Sequence, residues 1–477
     1  MGQAACRSRS GTGACEKLLT ISRIVLIWCI GVTLLLGSAF RHVPWSFVDT
    51  ATNLSAAGDT RSWHELLSDS LTKSVEYRPF LDVFTRVGYQ LAGLNLGTYQ
   101  ALVVVEFALI LLALAFLFRP VGWPRVTAAI LALSVAVGLH TSRILFLFVP
   151  LNAYATSMLI VLAVTMMFMS PRARGFEWVL LPLTLAGLLW LELSILIVPL
   201  ALVAWLLKAP GATWRSVAAS WGGLAIYLVA RLGFAPSLGM GSPDTGFGFS
   251  TIGPAESAAR FGDAPWLLWL YNVGSTVMTV LASEPRAGRF QFIQALTLDT
   301  VPVWMWLHVL SSIATTVVIA AGLVGIRGRP HRDRIIAAFG CVLIAGGSAL
   351  AFLYTRDRIG LPAGIGYAML VYVAVSALLD RVRPGRLPLV IAVVTVLGLC
   401  WSIRSAEMYV ALRDTAWDYR QEWDRREAIR AGKQNRVIGR MRQSALSRPP
   451  VDAERDPRWT YILFERRFSP AAGEPGP

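Results

Sequence analysis

Hydrophobic positions in this chain come in unbroken runs rather than with the period of a surface helix or strand. Apolar stretches fill 21–40, 101–118, 126–141, 151–169, 177–191, 193–207, 217–235, 303–326, 335–353, 363–379 and 388–403. Most are about 16 to 24 residues long, the length an α-helix needs to cross a hydrocarbon layer of roughly 30 Å. Outer-membrane barrel strands alternate polar and apolar positions over about ten residues, and these runs do not. The pattern predicts an all-α polytopic membrane protein with about eleven transmembrane helices.

The segments between the runs sort by charge. Arg119 and Arg125, Arg172 and Arg174, Lys208 and Arg215, the cluster from Arg327 to Arg334, and Arg381, Arg383 and Arg386 share one side of the membrane if the N-terminus is on that side. Short basic loops stay in the cytoplasm. Residues 1–20, with Arg7, Arg9 and Lys17, then form a cytoplasmic N-terminus ahead of an uncleaved signal anchor. The membrane domain spans 21–404, with external loops at 41–100, 236–302 and 354–362. The tail 405–477 is polar, helical over Ala406–Arg442, and periplasmic by parity. Trp266–Ser283 is apolar enough to cross, but a crossing there would carry the Arg327 to Arg334 cluster outside. With Trp266, Trp269 and Tyr271 it reads as a helix lying in or re-entering the interface.

Composition narrows the function classes. Charged residues make up 15% of the 477 residues, against about 25% in soluble proteins, and mean hydropathy is +0.55. The net charge of +15 is accounted for by the loops. No basic, aromatic-interleaved module stands apart from the apolar runs, so no nucleic-acid partner is expected. Cys29, Cys341 and Cys400 lie in apolar runs, and Cys6 and Cys15 precede the first, so no external disulfide is expected. The chain has no GxSxG, P-loop, CxxC or Cys/His ligand spacing, which argues against a serine hydrolase, an ATP-driven machine and a structural zinc. No cofactor is called for, although an acid-bearing external loop has the chemistry to hold a divalent cation. Ala/Arg/Trp-rich composition points to a bacterial inner membrane.

The first external loop carries the most chemistry. Asp49 lies nine residues past the first run, at the level where a lipid-linked substrate presents its reactive end. Asp59 and Trp63 follow, then Glu76-Tyr77-Arg78-Pro79-Phe80. Glu192 interrupts apolar sequence. A charge at a helix centre costs about 2.5–3.5 kcal/mol to insert, so Glu192 is functional, paired or close to the external surface. Arg356-Asp357-Arg358-Ile359-Gly360-Leu361-Pro362 forms the last short external loop. His42, His64, His140, His308 and His331 fall in unrelated contexts, with His308 reading as a core histidine and Glu106 as a structural hydrogen-bonding group.

Together these motifs resemble the GT-C glycosyltransferases, especially the protein O-mannosyltransferases with tetratricopeptide tails and their bacterial relatives. Those carry an acidic motif in the first loop and then Tyr-Arg-Pro-Leu, here Tyr77-Arg78-Pro79-Phe80 followed by Tyr89, Leu94 and Tyr99. A Lys-Glu pair opening an intramembrane helix is matched by Leu191-Glu192 ahead of Val198-Pro199. A Glu-Arg-Tyr-Leu-Tyr-Leu-Pro loop is matched by Asp357-Arg358 through Leu361-Pro362, and a Trp-bearing helix after the last span by Trp417 and Trp423. The likeness covers about residues 20–430. The chain departs from the family where Thr50 follows Asp49 in place of a second acid, where Leu191 replaces Lys, and in lacking tetratricopeptide repeats.

The resemblance implies transfer of a sugar, with inversion, from a polyprenyl-phosphate donor to a protein, lipid or glycan acceptor on the external face. It casts Asp49 as the general base, since a positioned carboxylate can take a hydroxyl proton in the transition state. Arg358 leads as the group holding the donor phosphate, with Arg78 second, because a guanidinium makes paired charge-assisted bonds to phosphate. Asp59, Glu76, Tyr77, Glu192 and Asp357 are supporting candidates. Plainer roles stand beside these: Arg78 orienting its loop through Glu76 or Asp82, and Arg358 marking an external turn. A polytopic transporter, an O-antigen polymerase or ligase, and a non-catalytic scaffold of the same fold remain alternatives. The first should show two similar halves, the second a large late external loop, and the lone acid keeps the third open.

Overall fold

The computed structural model describes residues 12–45, 62–72, 77–147, 152–234, 265–284, 290–298, 301–352, 357–425 and 436–447, with Leu54, Gly58, 245–247, 250–252, 258–259 and Gly262. The chain begins with α1 (Thr12–Phe40), the short α2 (Trp63–Thr72) and α3 (Pro79–Ala92), then α4 (Leu96–Phe118) and α5 (Trp123–Gly138). A 3-10 turn, His140–Arg143, and the short α6 (Ile144–Leu147) lead to α7 (Ala153–Phe168), α8 (Leu180–Trp190), a second 3-10 turn (Glu192–Leu196), α9 (Ile197–Leu206) and α10 (Trp214–Phe234). A small antiparallel hairpin of β1 (Thr245–Phe247) and β2 (Ser250–Ile252) follows. The second half comprises α11 (Pro265–Leu281), α12 (Gln291–Thr297), α13 (Val303–Leu323), α14 (His331–Ala349), a third 3-10 turn (Asp357–Gly360), α15 (Leu361–Arg381), α16 (Leu387–Arg425) and α17 (Arg436–Ser447).

Among the described residues the apolar runs read from the sequence are mostly helical, with extended breaks at Leu139 and Leu191. Among the described residues, six helices are long and apolar enough to cross a membrane: Arg23–Phe40, Leu96–Phe118, Trp214–Gly233, Val303–Leu323, Leu361–Arg381 and Pro384–Gln421. A seventh is added if Trp123–Gly138 and His140–Phe146, bent by 66°, count as one crossing. Ala153–Phe168, Glu177–Trp190, Glu192–Leu206 and Trp266–Leu281 are shorter apolar helices. This is the make-up of a multi-pass membrane protein.

The core is organised around α15, whose side chains are buried from Leu361 to Ala377. It crosses α14 backbone to backbone, because both helices present glycine: a Cβ on Gly366 would sit 2.5 Å from the Gly340 carbonyl oxygen. In lipid, where apolar surface gains little by leaving its surroundings, such close approach is what drives helices together. Local chemistry sets several starts. Asn95 accepts from the Thr98 amide at 3.4 Å and Asn152 from the Ala155 amide at 3.0 Å, each capping its helix. Pro79 opens α3, where its missing N–H costs nothing.

Two helices break without proline at the break. After Gly138 the chain extends at Leu139 (φ −75°, ψ 141°), and after Trp190 at Leu191 (φ −159°, ψ 137°). Each break is followed by a 3-10 turn whose first residue is titratable, His140 in one case and Glu192 in the other. Backbone groups freed at membrane depth need partners within the protein. Asn152 Nδ2 donates to the carbonyls of Ile144 (2.9 Å) and Leu145 (2.7 Å), Ser405 Oγ to that of Ser134 (3.0 Å), and Ser142 Oγ to that of Ala136.

The bundle has two chemically distinct ends. Where α4, α13 and α15 finish, cations meet carbonyls: Arg332 donates to Leu117, and Arg381 Nη2 to Gly325 at 2.7 Å. Tyr372 donates to Phe118 at 2.7 Å. Asp333 lies between Arg125 (3.3 Å) and Arg329 (3.2 Å), and Arg329 also reaches Asp380 (2.8 Å). At the opposite end Gln100 ties α4 to the exit of α1 through the carbonyls of Phe40 (3.0 Å) and Val43 (2.7 Å). Here α16 runs unbroken past residue 404, where the sequence reading ends the membrane domain, because no Gly or Pro interrupts it between Gly398 and Arg425. The Trp423 indole donates to the Trp45 carbonyl at 2.7 Å, and Arg442 of α17 donates to the Trp423 carbonyl at 3.3 Å.

Candidate functional site

Two polar clusters occupy the end opposite the arginine-rich one, each built on a helix break. The first gathers residues from the first loop, the Glu192 turn and the end of α10. Arg78 Nε donates to Glu192 Oε2 at 2.9 Å, and Arg231 Nη1 reaches Glu192 Oε1 at 3.4 Å and the Tyr227 hydroxyl at 2.6 Å. Tyr77 packs its ring on Tyr227 with centroids 6.0 Å apart. Burial pushes the Tyr77 phenol above its ordinary range, opposed by the charge of Arg231. Arg78 and Glu192 keep 27% and 29% of their side-chain surface exposed, so the cluster is reachable from outside. Two guanidiniums thus bracket one carboxylate, and a guanidinium is a group that makes paired charge-assisted bonds to phosphate oxygens. Asp82, the other acid weighed as a partner for Arg78, accepts from Ser70 Oγ at 2.8 Å.

The second cluster joins the first break to α13 and α16. His140 Nε2 and His308 Nδ1 are 2.9 Å apart, and His308 Nε2 is hydrogen-bonded to Glu407 Oε2. Arg404, fully buried, holds the frame: its guanidinium donates to the hydroxyls of Ser311 (2.9 Å), Ser312 (2.8 Å) and Ser283 (2.8 Å) and to the His308 carbonyl (3.2 Å). It lies 3.7 Å above the Trp401 ring, and the Trp401 indole donates to Thr315 at 2.9 Å. Trp304 sets its edge against His308 at 5.7 Å. His140, Arg143, Trp304, His308, Arg404 and Glu407 line a narrow cleft with a cavity volume of about 20 Å³.

Of the residues singled out in the sequence, Tyr77, Arg78 and Glu192 come together in the first cluster. Asp49, Asp59 and Glu76 lie outside the described residues. Asp357 and Arg358 open a 3-10 turn whose backbone packs on the His140 turn, although their side chains lie outside the described set. A Cβ on Gly360 would sit 2.9 Å from Thr141 Cγ2, and one on Gly364 2.3 Å from Thr141 Oγ1. Glu106 accepts from Thr156 Oγ1 at 2.6 Å. Among the described residues no group of three His, Cys, Asp or Glu side chains is placed to hold a metal ion.

Sequence reasoning missed Arg231, Tyr227, His140, Arg404 and Glu407, and it separated two histidines that touch. Each is one polar residue in or beside an apolar run, so spacing carries no signal. Only the cost of such residues in lipid marks them, and that argument was applied to Glu192 alone. Compared with family models, with curated proteins and with solved structures, the chain finds no match.

Proposed function

We propose that this protein is an integral-membrane glycosyltransferase of GT-C type. It moves a sugar from a polyprenyl-phosphate donor to an acceptor on the external face, with inversion. In this reading the chain crosses a bacterial inner membrane about eleven times, with its N-terminus in the cytoplasm and its C-terminus in the periplasm. Asp49 serves as base, and Arg358 and Arg78 attend the donor phosphate. The observation that carries the reading is the Arg78–Glu192 pair. Two motifs that the family resemblance selected, 114 residues apart in the chain, meet at 2.9 Å in a partly exposed cluster, with a second guanidinium, Arg231, on the same carboxylate. A cationic group held there by a carboxylate can face a phosphate leaving group without moving during the reaction.

The test is sugar transfer from a radiolabelled polyprenyl-phosphate hexose by the full chain in nanodiscs, with a membrane extract supplying acceptors. Arg78→Gln should raise the donor concentration needed for half-maximal rate about tenfold or more, the loss of one charged phosphate contact of about 1.5–3 kcal/mol. Asp49→Asn should lower the maximal rate by about 10² to 10⁴-fold with the donor requirement unchanged. Uptake of a soluble solute by vesicles that show no transfer would replace this reading with the transporter.

A further inference from the structure

The arginine-rich end holds more cation than its carboxylates match. Four guanidiniums gather where α4 ends and α14 begins: Arg119 at the close of α4, Arg125 in the first turn of α5, and Arg329 and Arg332 on either side of the α14 start. The carboxylates among them are Asp333 and Asp380. Asp333 is shared by Arg125 (3.3 Å) and Arg329 (3.2 Å), and Asp380 is taken by Arg329 (2.8 Å). Among the described residues neither Arg119 nor Arg332 has a carboxylate at ion-pair distance. Arg332 donates from one nitrogen to the Leu117 carbonyl, two residues before Arg119, and its Nε is buried without an acceptor. Arg332 lies ahead of the apolar run of α14. Burial first, and then the neighbouring charge of Arg119, push its guanidinium below the ordinary range, with Tyr372 and Asp333 opposing and Arg125 adding to the push. Guanidiniums assembled with too little negative charge are completed by an anion.

The surroundings say which anion. Arg119 ends α4 in the left-handed region (φ 44°), which glycine enters without strain and an arginine does not. Its side chain is exposed, and so are its apolar neighbours Phe116, one turn down α4, and Val121 and Trp123, in the turn that leads into α5. Tryptophan beside arginine at the end of an apolar helix is the pairing of the headgroup layer. We propose that Arg119, Arg125 and Arg332 form a site for the phosphate of an anionic phospholipid headgroup, in the leaflet that meets the arginine-rich end, with an acyl chain lying along Phe116. The chemistry recognised is a phosphate ester oxygen held between guanidiniums, as in basic pockets between transmembrane helices. A lipid fits better than a soluble phosphate because exposed apolar side chains flank the cations on the side of the helices. The bound headgroup would tie the α4–α5 turn to the start of α14. The site stands apart from the transferase chemistry, at the opposite end of the bundle from Arg78 and Glu192, and needs only a multi-pass membrane protein.

The experiment uses the full chain in phosphatidylcholine nanodiscs into which phosphatidylglycerol is introduced stepwise. It reads the melting temperature, and the attachment point of a phosphatidylglycerol with a photoreactive headgroup. In the wild type the melting temperature should rise saturably with phosphatidylglycerol, and the label should map to Pro120–Trp123 or to the first turn of α14. Arg119→Gln has no ion pair to lose. It should raise the phosphatidylglycerol fraction needed for half the rise about tenfold or more, the loss of one charged contact, with the melting temperature in pure phosphatidylcholine unchanged. Arg332→Gln should do the same; if it also lowers the starting melting temperature, Arg119→Gln decides. Arg386→Gln, in another turn of the same end, should cost about fivefold or less, the share of a single juxtamembrane charge. Equal losses at Arg119 and Arg386 make this end a diffuse basic belt and overturn the site, as does a wild type that responds alike to both lipids. Glycerol phosphate that displaces the label as well as phosphatidylglycerol does would assign the guanidiniums to a soluble phosphate ester and overturn the lipid.

Discussion

The arginine-rich end and the opposite end of the bundle use the same residue types for contrary purposes. At the arginine-rich end, Arg332 sits on a last-turn carbonyl of α4, where a helix exposes acceptors and partial negative charge, and Arg381 on the carbonyls of the turn that ends α13. Asp333 is spent between Arg125 and Arg329 and is 1% exposed. These contacts close helices. At the other end Glu192 and His140 begin 3-10 turns where helices stop short, and their partners Arg78, Arg231, His308 and Glu407 arrive from distant segments. Charge in this protein finishes helices at one end of the bundle and gathers around helix breaks at the other.

Three substitutions press on that contrast. The largest effect should come from Asp333→Ala. It removes the buried carboxylate from Arg125 and leaves Arg329 with Asp380 alone, a loss at the lower end of the roughly 3–5 kcal/mol that breaking a buried pair costs. The melting temperature in detergent should drop sharply, while transfer per folded molecule stays near wild type; a selective loss of transfer would show that the closed end also takes part in chemistry. Next is Gly364→Ala, whose Cβ would stand 2.3 Å from Thr141 Oγ1 and push on the His140 turn. Overpacking costs about 1–3 kcal/mol, but here transfer should fall further than stability, read as maximal rate against melting temperature on one preparation. The smallest is Tyr227→Phe, which deletes a 2.6 Å hydrogen bond to Arg231. About 1 kcal/mol of net bond strength is involved, and it should appear as a donor requirement raised several-fold with melting temperature nearly unmoved.

Much of the fold was legible because lipid imposes long apolar runs, and among the described residues these runs are mostly helical. Span count is a different matter, since 153–168, 177–190 and 192–206 are shorter helices and α14 opens with His331, Arg332, Asp333 and Arg334. The sequence singles out Tyr77, Arg78 and Glu192 one by one but sets Arg78 against Glu76 or Asp82 and names no partner for Glu192, so their convergence is legible only in the structure. The sequence places the end of the membrane domain at 404 because the last apolar run ends there. Charge does not stop a helix, and without Gly or Pro α16 carried on and brought Glu407 to His308. The histidine pair was illegible because 168 residues separate its members and neither sits in a motif.

The bond from Trp423 to the Trp45 carbonyl spans 378 residues of chain. A ribosome adding about 5–20 residues per second emits Trp45 roughly 20–75 s before its partner exists. Glu407 likewise emerges among the last helical residues, long after His140. The segment around Trp45 must therefore wait for its partner, and the His140 cluster matures only once α16 is made, whereas the Arg78–Glu192 cluster needs nothing beyond Arg231. A chain cut short before Trp423 is thus an unfinished assembly, carrying most of the bundle and no completed clasp. Such nascent products are what membrane quality control meets first.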